Sequence, residues 1–85
     1  LPRGSVARKN RLKEISRLNY TAIFYESCHR ILKTLQDIQD VLGDREIACC
    51  RELTKKFEEI KRGSAKDILQ ELKLHKPRGE FVIVI

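Results

Sequence analysis

The sequence predicts a small α/β domain in three layers, with a mixed sheet of about four strands and about three helices. Three observations carry this. Ile31, Leu35, Ile38 and Leu42 recur at helical spacing. Apolar runs of strand length stand at 20–25, 46–51 and 81–85, bounded by glycine or charged turns. These elements also come in the order strand, helix, strand, which builds a right-handed crossover between parallel strands. With 85 residues, one core is possible with little margin, so a covering partner surface is expected.

In chain order, Ser5 can cap a helix running to about residue 18, with Leu12, Ile15 and Leu18 on one face and bases around the rest. This basic helix, within residues 1–19, leads into the domain of residues 20–85. Tyr20 to Tyr25 reads as the first strand. Ser27 is the natural N-cap of the second helix, which Gly43 ends. The strand at 46–51 carries Ile47, Ala48, Cys49 and Cys50 and is apolar on both faces, as an interior strand is. Phe57 to Arg62 forms a further strand, paired antiparallel with its predecessor and broken by Gly63. Ser64 and Asp67 then start a last helix in the manner of a capping box, with Ala65, Ile68, Leu69 and Leu72 inward. The turn Pro77-Arg78-Gly79 feeds a buried strand from Phe81 to Ile85.

The charge is uneven. The net charge is +6 with a pI near 9.5, and residues 1–20 hold Arg3, Arg8, Lys9, Arg11, Lys13 and Arg17 against Glu14 alone. Such a segment is an electrostatic footprint for phosphate backbones; a solvated helix face is the alternative. The three cysteines, Cys28, Cys49 and Cys50, have neither metal-ligand spacing nor an even disulfide framework, which favours a reducing compartment and no metal. No apolar stretch is long enough to span a bilayer and no signal-peptide pattern is present, so a cytoplasmic protein without membrane contact is expected.

Polar residues gather after two strands. Tyr25, Glu26, His29 and Arg30 follow the first, and Arg51, Glu52, Thr54, Lys55 and Lys56 follow the second. Parallel strands would deliver both clusters to one sheet edge, where α/β folds bind ligands. Arg30 at a helix start is unfavourable for the helix dipole and so suits a carboxylate or phosphate ligand; a local salt bridge to Glu26 is the alternative. His29 offers a ring nitrogen. Arg51 can pair with Glu26 across the edge and hold its shape. His75 is expected in solvent, and Phe24, Phe57 and Phe81 in the core.

The order Phe24-Tyr25-Glu26-Ser27-Cys28-His29-Arg30, then Arg51-Glu52-Leu53-Thr54-Lys55, then an acidic strand ending in Arg62-Gly63, then Pro77-Arg78-Gly79-Glu80-Phe81-Val82, resembles the ribosomal RNA small subunit methyltransferase I family of the tetrapyrrole methylase fold group. Leu1-Pro2-Arg3 before the basic helix agrees with that family, although residues 1–5 also read as a tag-cleavage remnant. Cys28 stands where the family usually has proline, so this turn lacks a preset backbone angle.

The resemblance implies the C-terminal domain of an S-adenosylmethionine-dependent enzyme that methylates a cytidine ribose 2′-hydroxyl in 16S ribosomal RNA, working on ribosomal RNA or the small subunit in bacterial cytoplasm as a homodimer. It implies a missing N-terminal domain that carries the glycine-rich cofactor loop, since Gly4, Gly43, Gly63 and Gly79 are scattered, so these residues alone should be inactive. Tyr25, Glu26, Arg51 and Glu52 would form one wall of the cofactor cleft. His29, Arg30, Lys55, Arg8, Lys9 and Arg11 would meet the RNA. Glu26, His29 and Glu52 are the candidates for the base. The other readings are a methylase of a corrin or porphyrin ring and a basic nucleic-acid-binding domain without catalysis.

Overall fold

The computed structural model describes residues 1–18, 21–52 and 58–85. The expected elements are present: α1 (Ser5–Ser16), β1 (Ile23–Ser27), α2 (Ile31–Leu42), β2 (Glu46–Arg51), β3 (Glu59–Ser64), α3 (Ala65–Leu72) and β4 (Glu80–Val84). The predicted α/β class, with four strands and three helices, is therefore observed.

The sheet differs in its pairing. Its order is β1-β4-β2-β3, and each neighbouring pair is antiparallel. β1 and β2 do run in the same direction, as a crossover demands, but β4 lies between them. Its run of Phe81-Val82-Ile83-Val84 has no polar residue to offer solvent, so the sheet centre is its favourable place. The sheet is thus antiparallel, not mixed.

The helices share one core. Leu12 and Ile15 of α1, Ile31, Leu35 and Ile38 of α2, and Ala65, Ile68 and Leu69 of α3 cluster with Ile47, Cys49, Phe81 and Ile83 of the sheet. Side chains alternate along strands, so these sheet residues define one face; α2 and α3 lie against it, and α1 packs on α2 with Leu12 and Ile15 in the same core. The described residues therefore form two layers rather than three. The opposite face carries Ile23, Val84 and Ala48 in one register row.

Element boundaries shift for local reasons. α1 opens at Gly4 without a side-chain cap, because the Ser5 hydroxyl donates to Asp37 instead, at 3.1 and 3.2 Å to its two oxygens. Arg30, not Ser27, occupies the N-cap position of α2; Ser27 ends β1, and residues 28–30 form a turn closed by Arg30 N–H to Ser27 O at 3.1 Å. The strand predicted at Tyr20 begins at Ile23, and Tyr20 itself lies outside the described residues. β3 runs through Gly63, which pairs with Ile47 and takes a φ of +144° that glycine alone adopts freely. Ser64 caps α3 as predicted, accepting from Asp67 N–H at 3.2 Å. Phe81 is buried, Phe24 packs against the core, His75 is exposed, and Phe57 lies outside the described residues.

Candidate functional site at one sheet edge

β1 and β2 both deliver their ends to one edge of the sheet. Glu26 and Arg51 flank Phe81 in register, and Ser27 stands beside Glu80. With β4 between them, the two exits lie about 10 Å apart. The turn Pro77-Arg78-Gly79 enters β4 in that gap, which brings exposed Arg78 to the edge. Sequence reasoning did not select Arg78, because nothing local says that the last strand inserts between the first two.

Glu26 is the organising group of the first exit and is 3% exposed. Its Oε1 accepts from Ser27 N–H at 3.0 Å and Arg30 Nε at 2.8 Å, and its Oε2 accepts from Thr34 Oγ1 at 2.7 Å. Burial pushes its carboxyl up, but the hydrogen bonds from Thr34, Arg30 and Ser27 and the Arg30 charge outweigh burial and hold it below its ordinary value. A carboxylate so satisfied is a poor base and a closed ligand acceptor. Arg30 thus takes the salt-bridge alternative, and Glu26 sets the turn that presents exposed His29.

Arg51 does not pair with Glu26. The register puts it opposite Glu59, to which Nη2 donates. Its Nε is buried and has no hydrogen-bond partner among the described residues. That guanidinium lines a groove of about 210 Å³ with Glu59, Lys61, Glu71, His75 and Lys76. Lys61, His75 and Lys76 were not selected from sequence, since only the packing of α3 beside β3 brings them to Arg51.

Glu52 adopts a φ of +53° and locks the second exit to β4. Its N–H donates to Glu80 O at 3.0 Å, and its Oε1 accepts from Glu80 N–H at 3.1 Å. Gly79 permits this approach: it has a φ of +84°, and a Cβ there would stand 1.8 Å from Glu52 Oε1. Gly79→Ala is expected to cost about 2 kcal/mol, combining left-handed strain with the displaced hydrogen bond. A urea melt of the full-length protein checks this, and an unchanged midpoint would contradict the Glu52 clamp.

Tyr25 points to the other face of the sheet from Glu26, because neighbouring side chains alternate, and it is 77% exposed. Tyr25 and Glu26 therefore do not line one wall. Lys55, with Thr54 and Lys56, lies outside the described residues.

The basic helix is not a uniform phosphate surface. Arg8 is buried at 2% exposure; it donates to Asp37 Oδ2 at 2.7 Å, Pro2 O at 3.2 Å and Arg3 O at 2.5 Å. Its role is to fasten α1 and the segment before it onto α2. Lys9 pairs with Asp40 at 3.1 Å, and this bond with that from Gln36 holds Asp40 below its ordinary carboxylate value. Arg11 is at the surface beside Glu14 at 2.7 Å, and Arg3, Lys13 and Arg17 are exposed.

Cys49 faces the core, where burial and neighbouring Cys50 push its thiol up to about 12, so it is inert at neutral pH. Among the described residues there is no group of three or more His, Cys, Asp or Glu able to hold a metal ion, and no helix is long and apolar enough to cross a membrane.

Comparison with known proteins places this edge in context. No family model matches the chain. The chain is similar along its whole length to proteins named Ribosomal RNA small subunit methyltransferase I: that of Bacillus subtilis at 41% identity over 85 residues, that of Thermotoga maritima at 39% over 85, and that of Haemophilus influenzae at 46% over 89. It spans 29%, 38% and 31% of those three relatives, respectively.

Proposed function

Since the chain belongs, as a segment, to the ribosomal RNA small subunit methyltransferase I family, we propose that it is the second domain of an S-adenosylmethionine-dependent enzyme acting on small-subunit ribosomal RNA. The observation that carries the proposal is similarity over the full chain to proteins bearing that name. The sheet edge supports it, because two strand exits and the turn into β4 bring His29, Arg78 and Arg51 to one side. The finer reading is 2′-O-ribose methylation of a cytidine in 16S ribosomal RNA by a cytoplasmic, bacterial homodimer. The glycine-rich cofactor loop is assigned to another part of the parent protein, so the 85 residues alone are expected to be inactive.

S-adenosylmethionine supplies a methyl group activated on a sulfonium. The donors of this chain fit part of that molecule: Arg51 has a buried Nε without a hydrogen-bond partner among the described residues, suited to a carboxylate or ribose oxygen. Glu26 does not fit as a ligand, because its oxygens are already occupied. Glu52 stays at the edge as a shape-holding residue of the same wall. A ribose hydroxyl accepting that methyl would have to give up its proton to a base. Within this chain, exposed His29 is the better placed acceptor; positioning supplies much of the remaining rate.

RNA contact falls to the exposed bases. Arg11, Lys13 and Arg17 replace Arg8 in this role, since Arg8 is committed to Asp37. Full-length protein, labelled S-adenosylmethionine and small-subunit ribosomal RNA or small subunits should yield 2′-O-methylcytidine on nucleoside digestion. Label in a base, or no label with either substrate, would sink the reading. Arg11→Gln/Lys13→Gln/Arg17→Gln should lower the slope of log affinity against log salt by about 2, at roughly 0.7–0.9 per phosphate contact. An unchanged slope would remove α1 from the RNA interface.

A further inference from the structure

The sheet face turned away from the helices carries an apolar band across its middle, flanked by Glu46 and Ser64 at one end and by Ser27 and Glu80 at the other. Tyr25, Val82, Cys50 and Ile60 form a single row by register, and the row beside it is apolar except for Arg62 on β3. Tyr25 is 77%, Ile23 64% and Ile60 48% exposed. An antiparallel sheet with one wet face alternates apolar and polar residues. β2 and β4 instead read as strands buried on both faces, and an exposed patch of this kind marks an interaction site.

We propose that this face docks onto the remainder of the parent polypeptide, through apolar side chains presented by that remainder. The proposal rests on the reading of the chain as one segment of a longer enzyme. Two observations select this occupant over a second copy of the chain. Relatives similar over all 85 residues are roughly three times as long, so they carry chain beyond this segment that is available to cover the face. The face is also small: four strands of five or six residues cover on the order of 400 Å² at ordinary strand spacing, about half of what each partner contributes to a stable complex. Docking within one polypeptide does not meet the cost of free association that a dimer does. The helices, including the exposed bases of α1, stay on the opposite side and remain free for RNA.

The test labels full-length protein carrying Tyr25→Cys in a Cys28→Ser background, and separately Ile60→Cys, with a maleimide. Mass spectrometry follows each position in native and urea-unfolded protein, and circular dichroism verifies folding. Both positions should react about tenfold or more slowly in the native protein, as buried sites do, at every protein concentration. Labelling at the unfolded rate would overturn the proposal, and protection that disappears on dilution would overturn it in favour of a second copy. Titration of the unsubstituted full-length protein with S-adenosylmethionine separates this from the enzyme reading. Cofactor binding with an unprotected face defeats the docking surface alone; protection without cofactor binding defeats the enzyme reading and leaves the docking surface standing.

Discussion

Arg8→Met is expected to destabilise the full-length protein by about 3 kcal/mol, because removing one partner of a buried ion pair leaves the other charge without compensation. Arg8 and Asp37 have side-chain exposures of 2% and 7%. Ser5 Oγ remains near Asp37 and Lys9 stands 4.0 Å away, which places the cost at the lower end for such pairs. The arginine also holds Pro2 and Arg3 through their carbonyls, so the segment before α1 should loosen with it. Urea unfolding followed by circular dichroism reads the change. Arg8→Met/Asp37→Leu should recover part of the loss, since replacing both charges with apolar groups removes the stranded one. Equal stability of the single variant and the parent would show that the pair does not fasten α1.

Glu26→Gln is expected to cost about 2 kcal/mol at neutral pH, as the carboxylate accepts three hydrogen bonds and one is from a guanidinium. An amide must turn its NH2 group toward at least one of those donors. The pH dependence has a definite sign. The folded carboxyl titrates below its ordinary value of 4.5, so its contribution is present above 4.5 and is lost as pH falls through the lowered folded value. The parent should therefore lose stability more steeply than the Gln variant over the range in which pH falls below 4.5. Parallel curves over that range would contradict the assignment of Glu26 as a stabilising carboxylate.

The elements that were legible in the sequence are those whose signals are local. The Ile31, Leu35 and Ile38 spacing gave α2, and Ser64 with Asp67 gave the start of α3, because caps and periodicity act within a few residues. The common direction of β1 and β2 also follows from local crossover geometry. What remained hidden depends on distant partners. Arg8 reads as one more base of a cationic helix until α2 brings Asp37 to it, 29 residues away. Arg51 reads as a partner for Glu26 until β4 separates them and β3 supplies Glu59. Tyr25 and Glu26 are adjacent in sequence and therefore on opposite faces of a strand. Strand alternation was legible there, and it argues against a single wall containing both.

Glu26 also shows how one network can appear as two candidate sites. A carboxylate, a histidine and an arginine within five residues suggest catalysis, yet the geometry spends Glu26 and Arg30 on the turn and leaves His29 outward. The Glu26 hydrogen bonds to Ser27 N–H, Arg30 and Thr34 tie this turn to the start of α2. Loss of Glu26 should therefore affect activity through the placement of His29, beyond its effect on stability.

The central claim is that this chain forms one side of a cofactor cleft completed by the rest of its parent. Isothermal titration of S-adenosylmethionine and S-adenosylhomocysteine into the full-length protein and into the 85-residue segment tests it most directly. The account predicts binding by the full-length protein and none by the segment. Absence of binding by the full-length protein would contradict it, and full-strength binding by the segment alone would contradict a cleft shared between two domains.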